Sequence, residues 1–226
     1  MKYKFSTSQD LRRNKYKGKY FAFEGIDGCG KSTQVEKIKK YLENLGQEVI
    51  VTSEPMQTGA VQEVIRAALF SKVKIPSRAY QNLYSADRAV NHAEIVEPAL
   101  KAGKTVLTHR SLWSNVPYGI LDLGEAYDFS KAASILISSG IITAYHQFLA
   151  PDKTFYLKVS ASHAAKRLSH MSKKKDIYEN EKKLAKISTG YDRIVKEFAP
   201  EFVVIDGEQE EEKVTADIIK YVSSSM

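Results

Sequence analysis

Cysteine is almost missing: Cys29 is the single one among 226 residues. An intrachain disulfide and a cysteine-rich zinc site are thereby excluded, and a reducing compartment, the cytoplasm, is the expectation. No apolar run approaches the roughly 18 residues of a membrane-spanning helix, so no membrane partner is expected. The first residues are basic but lack an apolar stretch behind them, which argues against a secretory signal. Internal repeats and low-complexity tracts are also missing. What is present is ordinary globular usage, 43% hydrophobic and 27% charged residues, enough for a packed core and against wholesale disorder. The length suits one domain, or one domain with a tail.

The net charge of +7 suggests nucleic acid until it is located along the chain. Residues 1–19 hold seven cations (Lys2, Lys4, Arg12, Arg13, Lys15, Lys17, Lys19) against Asp10, which leaves about +1 for everything after them. A basic domain surface, needed for duplex binding, is not there, so nucleic acid is not the expected partner. The head reads as a solvated, flexible extension over residues 1–19, with the domain proper spanning 20–226.

From Tyr20 onward, short apolar runs alternate with helical patterns. Residues 20–24, 49–52, 105–108, 154–159 and 202–205 read as five strands. Helical periodicity covers 31–45, stopped by Gly46, then 61–70, 76–102, most of 112–149, two stretches around the basic run Lys173-Lys174-Lys175, and 210–222. Strands separated by helices predict an α/β fold: a five-stranded parallel sheet covered by helices on both faces. Ligands then sit at the carboxyl ends of the strands, which points to residues 25–32, 53–54, 109–110 and the segment after Val159.

The first of these is Gly25-Ile26-Asp27-Gly28-Cys29-Gly30-Lys31-Ser32, a match to G-x-x-x-x-G-K-[ST] between a strand and a helix. The glycines let backbone N–H groups wrap an anion closely, and the helix start adds its partial positive charge. Lys31 is expected to reach the β- and γ-phosphates of ATP, and the Ser32 hydroxyl to coordinate Mg²⁺. Cys29 fills a variable loop position as a small residue. A GTPase would need Asn-Lys-x-Asp, which does not occur, and a motor-type ATPase would end its third strand in a carboxylate. Here that strand ends in His109-Arg110, and a cation there suits a transferring phosphoryl group.

The stretch Phe23-Glu24-Gly25-Ile26-Asp27-Gly28-Cys29-Gly30-Lys31-Ser32-Thr33-Gln34 resembles the opening of thymidylate kinases, a family of P-loop nucleoside monophosphate kinases. So do Ser53-Glu54-Pro55, Glu63-Val64-Ile65-Arg66, Tyr84-Ser85-Ala86-Asp87-Arg88-Ala89, Arg110 with Ser114-Asn115-Val116-Pro117-Tyr118, Pro151-Asp152-Lys153-Thr154-Phe155-Tyr156-Leu157, and Gly190-Tyr191. The similarity runs in order from about Tyr20 to the C-terminus. The loop is shared by many enzymes; Tyr84 to Arg88 together with Arg110, Asn115 and Tyr118 is the specific part.

The resemblance implies transfer of a phosphoryl group from ATP to dTMP, giving dTDP and ADP for dTTP biosynthesis, with Mg²⁺ and as a homodimer. It implies that Tyr84 packs on thymine while Arg88 and Asn115 meet the base edge. Tyr118 would crowd the 2′ position, and Asp27 would accept from the 3′-hydroxyl. Arg66 and Arg110 would hold the acceptor phosphate, Arg110 also following the moving group. ATP would be held by Gly25, Ile26, Asp27, Gly28, Cys29, Gly30, Lys31, Ser32 and Thr33. A helical lid over about 163–177 would close on it, with Arg167 along the adenine and Lys173–Lys175 at the phosphates.

Two departures stand out. Ser53 replaces the arginine the family usually has before Glu-Pro, and His109 replaces the aspartate it usually has before arginine. Glu54 is the acidic residue expected to stand in for that aspartate, next to metal or water, as well as to line the acceptor site. Two other readings are a deoxynucleoside kinase, since His109-Arg110-Ser111 faintly resembles a Glu-Arg-Ser segment, and a non-catalytic nucleotide- or nucleic-acid-binding protein.

Overall fold

The computed structural model describes residues 10–70, 72–122, 147–170 and 178–225. Its strands are β1 (Tyr20–Glu24), β2 (Val49–Ser53), β3 (Thr105–His109), β4 (Lys153–Lys158) and β5 (Phe202–Asp206). They form one five-stranded sheet, every neighbour parallel, in the order β2-β3-β1-β4-β5. The helices are α1 (Lys31–Asn44), α2 (Ala60–Leu69), α3 (Ser77–Asn91), α4 (Glu97–Lys101), α5 (Asn115–Asp122), α6 (Ala161–Ser169), α7 (Glu181–Glu197) and α8 (Glu211–Ser224). The helical pattern over 76–102 is one run broken by a π-helical turn, His92–Val96, between α3 and α4. The pattern over 112–149 is helical as far as Asp122; residues 123–146 lie outside the described ones.

Each element follows from where its apolar side chains fall. All five residues of β1 are buried, as a strand covered on both faces must be. On α1, Val35, Ile38 and Leu42 return every three or four residues and are buried. Burying each is worth about 1.5–3 kcal/mol gross, which outweighs the roughly 1 kcal/mol that a side-chain cap would add. Gly30 at its start provides no such cap, so the first N–H groups of α1 are left for a ligand. On α7, Leu184, Ile187, Tyr191 and Ile194 form the buried stripe, and the Asn180 side chain caps its start by accepting from Lys183 N at 3.0 Å.

Register decides what emerges where. His109 is level with Phe23 of β1 and with Ser53 of β2. The residues just after these three, Glu24-Gly25, Glu54 and Arg110, therefore leave the sheet side by side. β1 lies between β3 and β4, so the chain crosses from one side of β1 to the other, the place where open parallel sheets form their ligand crevice.

The head, expected as a solvated extension over 1–19, is fastened to the domain from Arg12 on. Arg12 pairs with Glu97 at 2.6 Å and Arg13 with Glu201 at 2.6 Å. Asn14 donates to Asp152, which also accepts the Tyr20 N–H at 2.7 Å. Residues 1–9 lie outside the described ones. Among the described residues no helix is long and apolar enough to cross a membrane.

Candidate active site

Two clefts open at the carboxyl end of the sheet. The first is lined by Asp27, Gly28, Gly30, Lys31, Ser32 and Thr33 from the glycine loop and start of α1, with Arg167 and Leu168 of α6 on its other wall. The loop is tight: Gly28 has φ +83°, and a Cβ there would stand 2.6 Å from the Ala164 carbonyl oxygen. Lys31 is folded onto its own loop, its Nζ donating to the carbonyls of Gly25 (3.0 Å) and Ile26 (2.9 Å). Arg167 donates to the Gly207 carbonyl at 3.0 Å. Ser32 and Thr33 are exposed at the cleft mouth.

The second cleft is lined by Glu54, Leu69, Tyr84, Arg88, Asn115 and Tyr118, together with Asp27 and Arg110. Tyr84 and Arg88 share a face of α3, one turn apart. Arg88 is buried; its Nε donates to Glu54 Oε2 at 2.7 Å, and its Nη2 to Glu54 Oε2 and to Asn115 Oδ1 (2.6 Å). Asn115 in turn donates to Gln81 at 3.0 Å. Burial pushes the Glu54 carboxyl up, and Arg88 only partly offsets it. Its other oxygen, Oε1, has no hydrogen-bond partner among the described residues and lies 3.8 Å from His92 Nε2. Burial, helped by the charge of Arg88, lowers His92 to about 3, so that imidazole is neutral.

Arg110 lines the second cleft and reaches back to the glycine loop, while Asp27 lines both clefts. It leaves β3 in the left-handed region, φ +70°, a conformation that costs a non-glycine residue on the order of 1 kcal/mol. Its Nη1 donates to the Gly25 carbonyl at 3.1 Å, inside the glycine loop. Its Nη2 donates to Asp27 Oδ1 and, at 2.7 Å, to the Tyr118 hydroxyl. Burial alone would push the Asp27 carboxyl up, but Arg110 and Lys31 outweigh it and hold it below the usual carboxylate range. Burial raises the Tyr118 phenol, which keeps its proton and donates to Asp27 Oδ2 at 3.1 Å.

The structure thus gathers Asp27, Glu54, Tyr84, Arg88, Arg110, Asn115 and Tyr118 around one cleft. It does not bring Arg66 there: that residue is exposed on α2 and lines a separate outer groove with Gln57, Gln62 and Glu63. Glu54 lines the second cleft, where Arg88 engages it, and not the first. Lys173–Lys175 lie outside the described residues. Of the two departures, Ser53 stitches its own loop, donating to the Pro55 carbonyl at 2.8 Å and accepting from Gln57 at 2.9 Å. His109 is half-buried; burial first, then Lys31 and Arg110, lower it to about 4, so it stands neutral. Sequence reasoning assigned no role to Glu24, Ser111 and Tyr191, which surround Arg110. The available signal was an acidic residue ending an otherwise apolar buried strand.

For Mg²⁺, the described residues contain no cluster of three or more His, Cys, Asp or Glu. The Ser32 hydroxyl at the mouth of the first cleft is an oxygen donor of the kind an ion held mostly by water and phosphate oxygens would accept.

A glycine loop with its lysine at the head of a parallel sheet, and an arginine that ties this loop to a second cleft, define a P-loop kinase that moves a phosphoryl group between two nucleotides. The family profile described as thymidylate kinase matches residues 23–218. Curated relatives include a thymidylate kinase of Thermoanaerobacter sp. (strain X514), 35% identical over 91% of this chain and 98% of its own. One of Caldanaerobacter subterraneus is 32% identical over 91% and 95%, and one of Sulfurihydrogenibium sp. is 34% identical over 90% and 97%. The chain belongs to the thymidylate kinase family. It is an enzyme that uses ATP to phosphorylate dTMP, and neither of the two other readings is favoured.

Proposed function

We propose that the glycine-loop cleft takes ATP, that the second cleft takes dTMP with its phosphate toward Arg110, and that the groups described above divide the work. The observation that carries this is the position of Arg110, which touches Gly25 and Asp27 of the loop and Tyr118 of the other cleft at once.

Lys31 leaves the carbonyls of Gly25 and Ile26 for the β- and γ-phosphates, an exchange of neutral acceptors for charged ones. The loop from Gly25 to Thr33 supplies backbone N–H groups, and Arg167 lies along the adenine. Tyr84 stacks on thymine, worth roughly 1–3 kcal/mol by analogy with base–aromatic pairs. Arg88, held by Glu54, and Asn115 address the base edge. Tyr118 crowds the sugar's 2′ position, and Asp27 accepts from the 3′-hydroxyl. Arg110 grips the acceptor phosphate. An oxygen of that phosphate attacks the γ-phosphorus in line; the new O–P bond forms as the bridge to ADP breaks, and ADP carries away the electron pair. Bound through Ser32, Mg²⁺ would neutralise charge on the phosphates. Everything else is positioning and charge stabilisation, with no covalent enzyme intermediate.

A cytoplasmic location and a homodimer complete the proposal. The dimer is supported by Val64 on α2 and Val90 on α3, apolar yet 44% and 37% exposed on helices that pack together. The deciding experiment is a coupled ADP assay over dTMP, dUMP and thymidine, with Arg110→Ala alongside. Turnover is expected with dTMP and to fall about 10³-fold or more in the variant. Faster turnover of thymidine than of dTMP would overturn the acceptor assignment.

A further inference from the structure

Glu24 ends β1, is fully buried, and accepts four hydrogen bonds. Its Oε1 takes the Ser111 N–H (2.7 Å) and the Ser111 hydroxyl (2.9 Å). Its Oε2 takes the Ser114 hydroxyl (2.6 Å) and the Tyr191 hydroxyl (2.7 Å). Each hydroxyl owns one proton. The two hydroxyls also lie 2.8 Å from each other, so Glu24 draws one of their protons or both and leaves lone pairs for Arg110, whose Nη1 donates to them at 3.3 and 3.1 Å. Glu24 therefore sets the polarity of the two hydroxyls that carry one side of the guanidinium.

Its other oxygen acts on the backbone. Ser111 directly follows Arg110, whose left-handed φ of +70° persists only if the chain on either side is held. Phe23 holds it on one side by accepting the Arg110 N–H at 3.0 Å; Glu24, the next residue, holds it on the other through Ser111.

We propose that Glu24 is a positioning residue for phosphoryl transfer, orienting Arg110 from its backbone and from its Nη1 side so that the Nη2 edge faces the acceptor phosphate. This rests on the reading of Arg110 as the phosphate-binding group. Glutamine has the same shape but cannot replace it. Wherever its amide nitrogen sits, it meets either the Ser111 N–H or a hydroxyl proton of the Ser114–Tyr191 pair, donor against donor. Relieving that clash turns a hydroxyl proton toward Arg110 or loosens the strained turn.

The test is titration calorimetry of dTMP, thymidine and ATP on the full chain as wild type, Glu24→Gln, Tyr191→Phe and Arg110→Ala. Glu24→Gln is expected to weaken dTMP about tenfold while thymidine and ATP stay within about twofold, since one charge-assisted contact is degraded and nothing else. Tyr191→Phe keeps the carboxylate and removes one relay hydroxyl; it should show the same selective loss, smaller, and it serves if Glu24→Gln does not fold. Equal weakening of all three ligands makes Glu24 merely structural and overturns the proposal. So does an unchanged preference for dTMP over thymidine in both variants while Arg110→Ala loses it. If Arg110→Ala keeps that preference too, the reading of Arg110 falls with it.

Discussion

Glu54 and Arg88 show what one pair of residues can decide. Both are buried, and Arg88 bridges Glu54 to Asn115. Removing the carboxylate takes from a buried guanidinium the counter-charge that its Nε and Nη2 hold, which costs up to about 3–5 kcal/mol. Glu54→Gln should lose stability on that scale in urea unfolding and weaken dTMP binding, while ATP affinity and Mg²⁺ dependence stay as they are. A change in Mg²⁺ dependence would return Glu54 to the metal side. The histidines give a second expectation. His92 is lowered to about 3 and His109 to about 4, so between these values and the usual 6.5 the unfolded chain binds protons that the native one does not. Stability should then be complete above pH 6.5 and fall with decreasing pH through that window, each histidine adding a slope of up to about 1.4 kcal/mol per pH unit. Urea midpoints of wild type and His92→Gln between pH 4.5 and 7 check the sign; equal slopes would refute the assignment to His92.

At the scale of elements, the glycine loop and α6 constrain each other. Gly28 meets two obstacles to a side chain, a left-handed φ and the Ala164 carbonyl 2.6 Å from the missing Cβ. Gly30, with φ +101°, meets the conformational one alone, since nothing lies within 4 Å. Gly28→Ala should therefore cost more than Gly30→Ala in thermal unfolding, roughly 1–3 kcal/mol beyond it, and should shift α6 with its Arg167 away from the ATP cleft. Comparable losses in the two variants would show that the carbonyl moves aside freely. The π-helical turn between α3 and α4 lies just beyond Arg88 and places His92 beneath Glu54.

For the whole molecule, the parallel order β2-β3-β1-β4-β5 opens the crevice where the two clefts meet. The dimer is the expectation tested at this scale. Replacing Val64 and Val90 together by lysine puts charge on two exposed apolar positions and should halve the mass seen in sedimentation equilibrium. A monomeric wild type would dismiss these positions as an interface. The head belongs here as well: Arg12 and Arg13, neighbours in the chain, clamp onto Glu97 and Glu201, which lie far apart in it.

The chain alone determined the elements and the catalytic loop. A buried parallel strand shows as a short apolar run, a packed helix as a period of 3.6, and an anion cradle as glycines at set spacing; all three are local signals. Folding alone decided how distant residues meet. The outward reach of Arg66 depends on how α2 lies against its neighbours, and the engagement of Glu54 by Arg88 depends on β2 ending beside α3. The four-fold grip of Glu24 joins the ends of β1 and β3 to α7, residues 24, 111, 114 and 191, a separation over which no sequence period carries information.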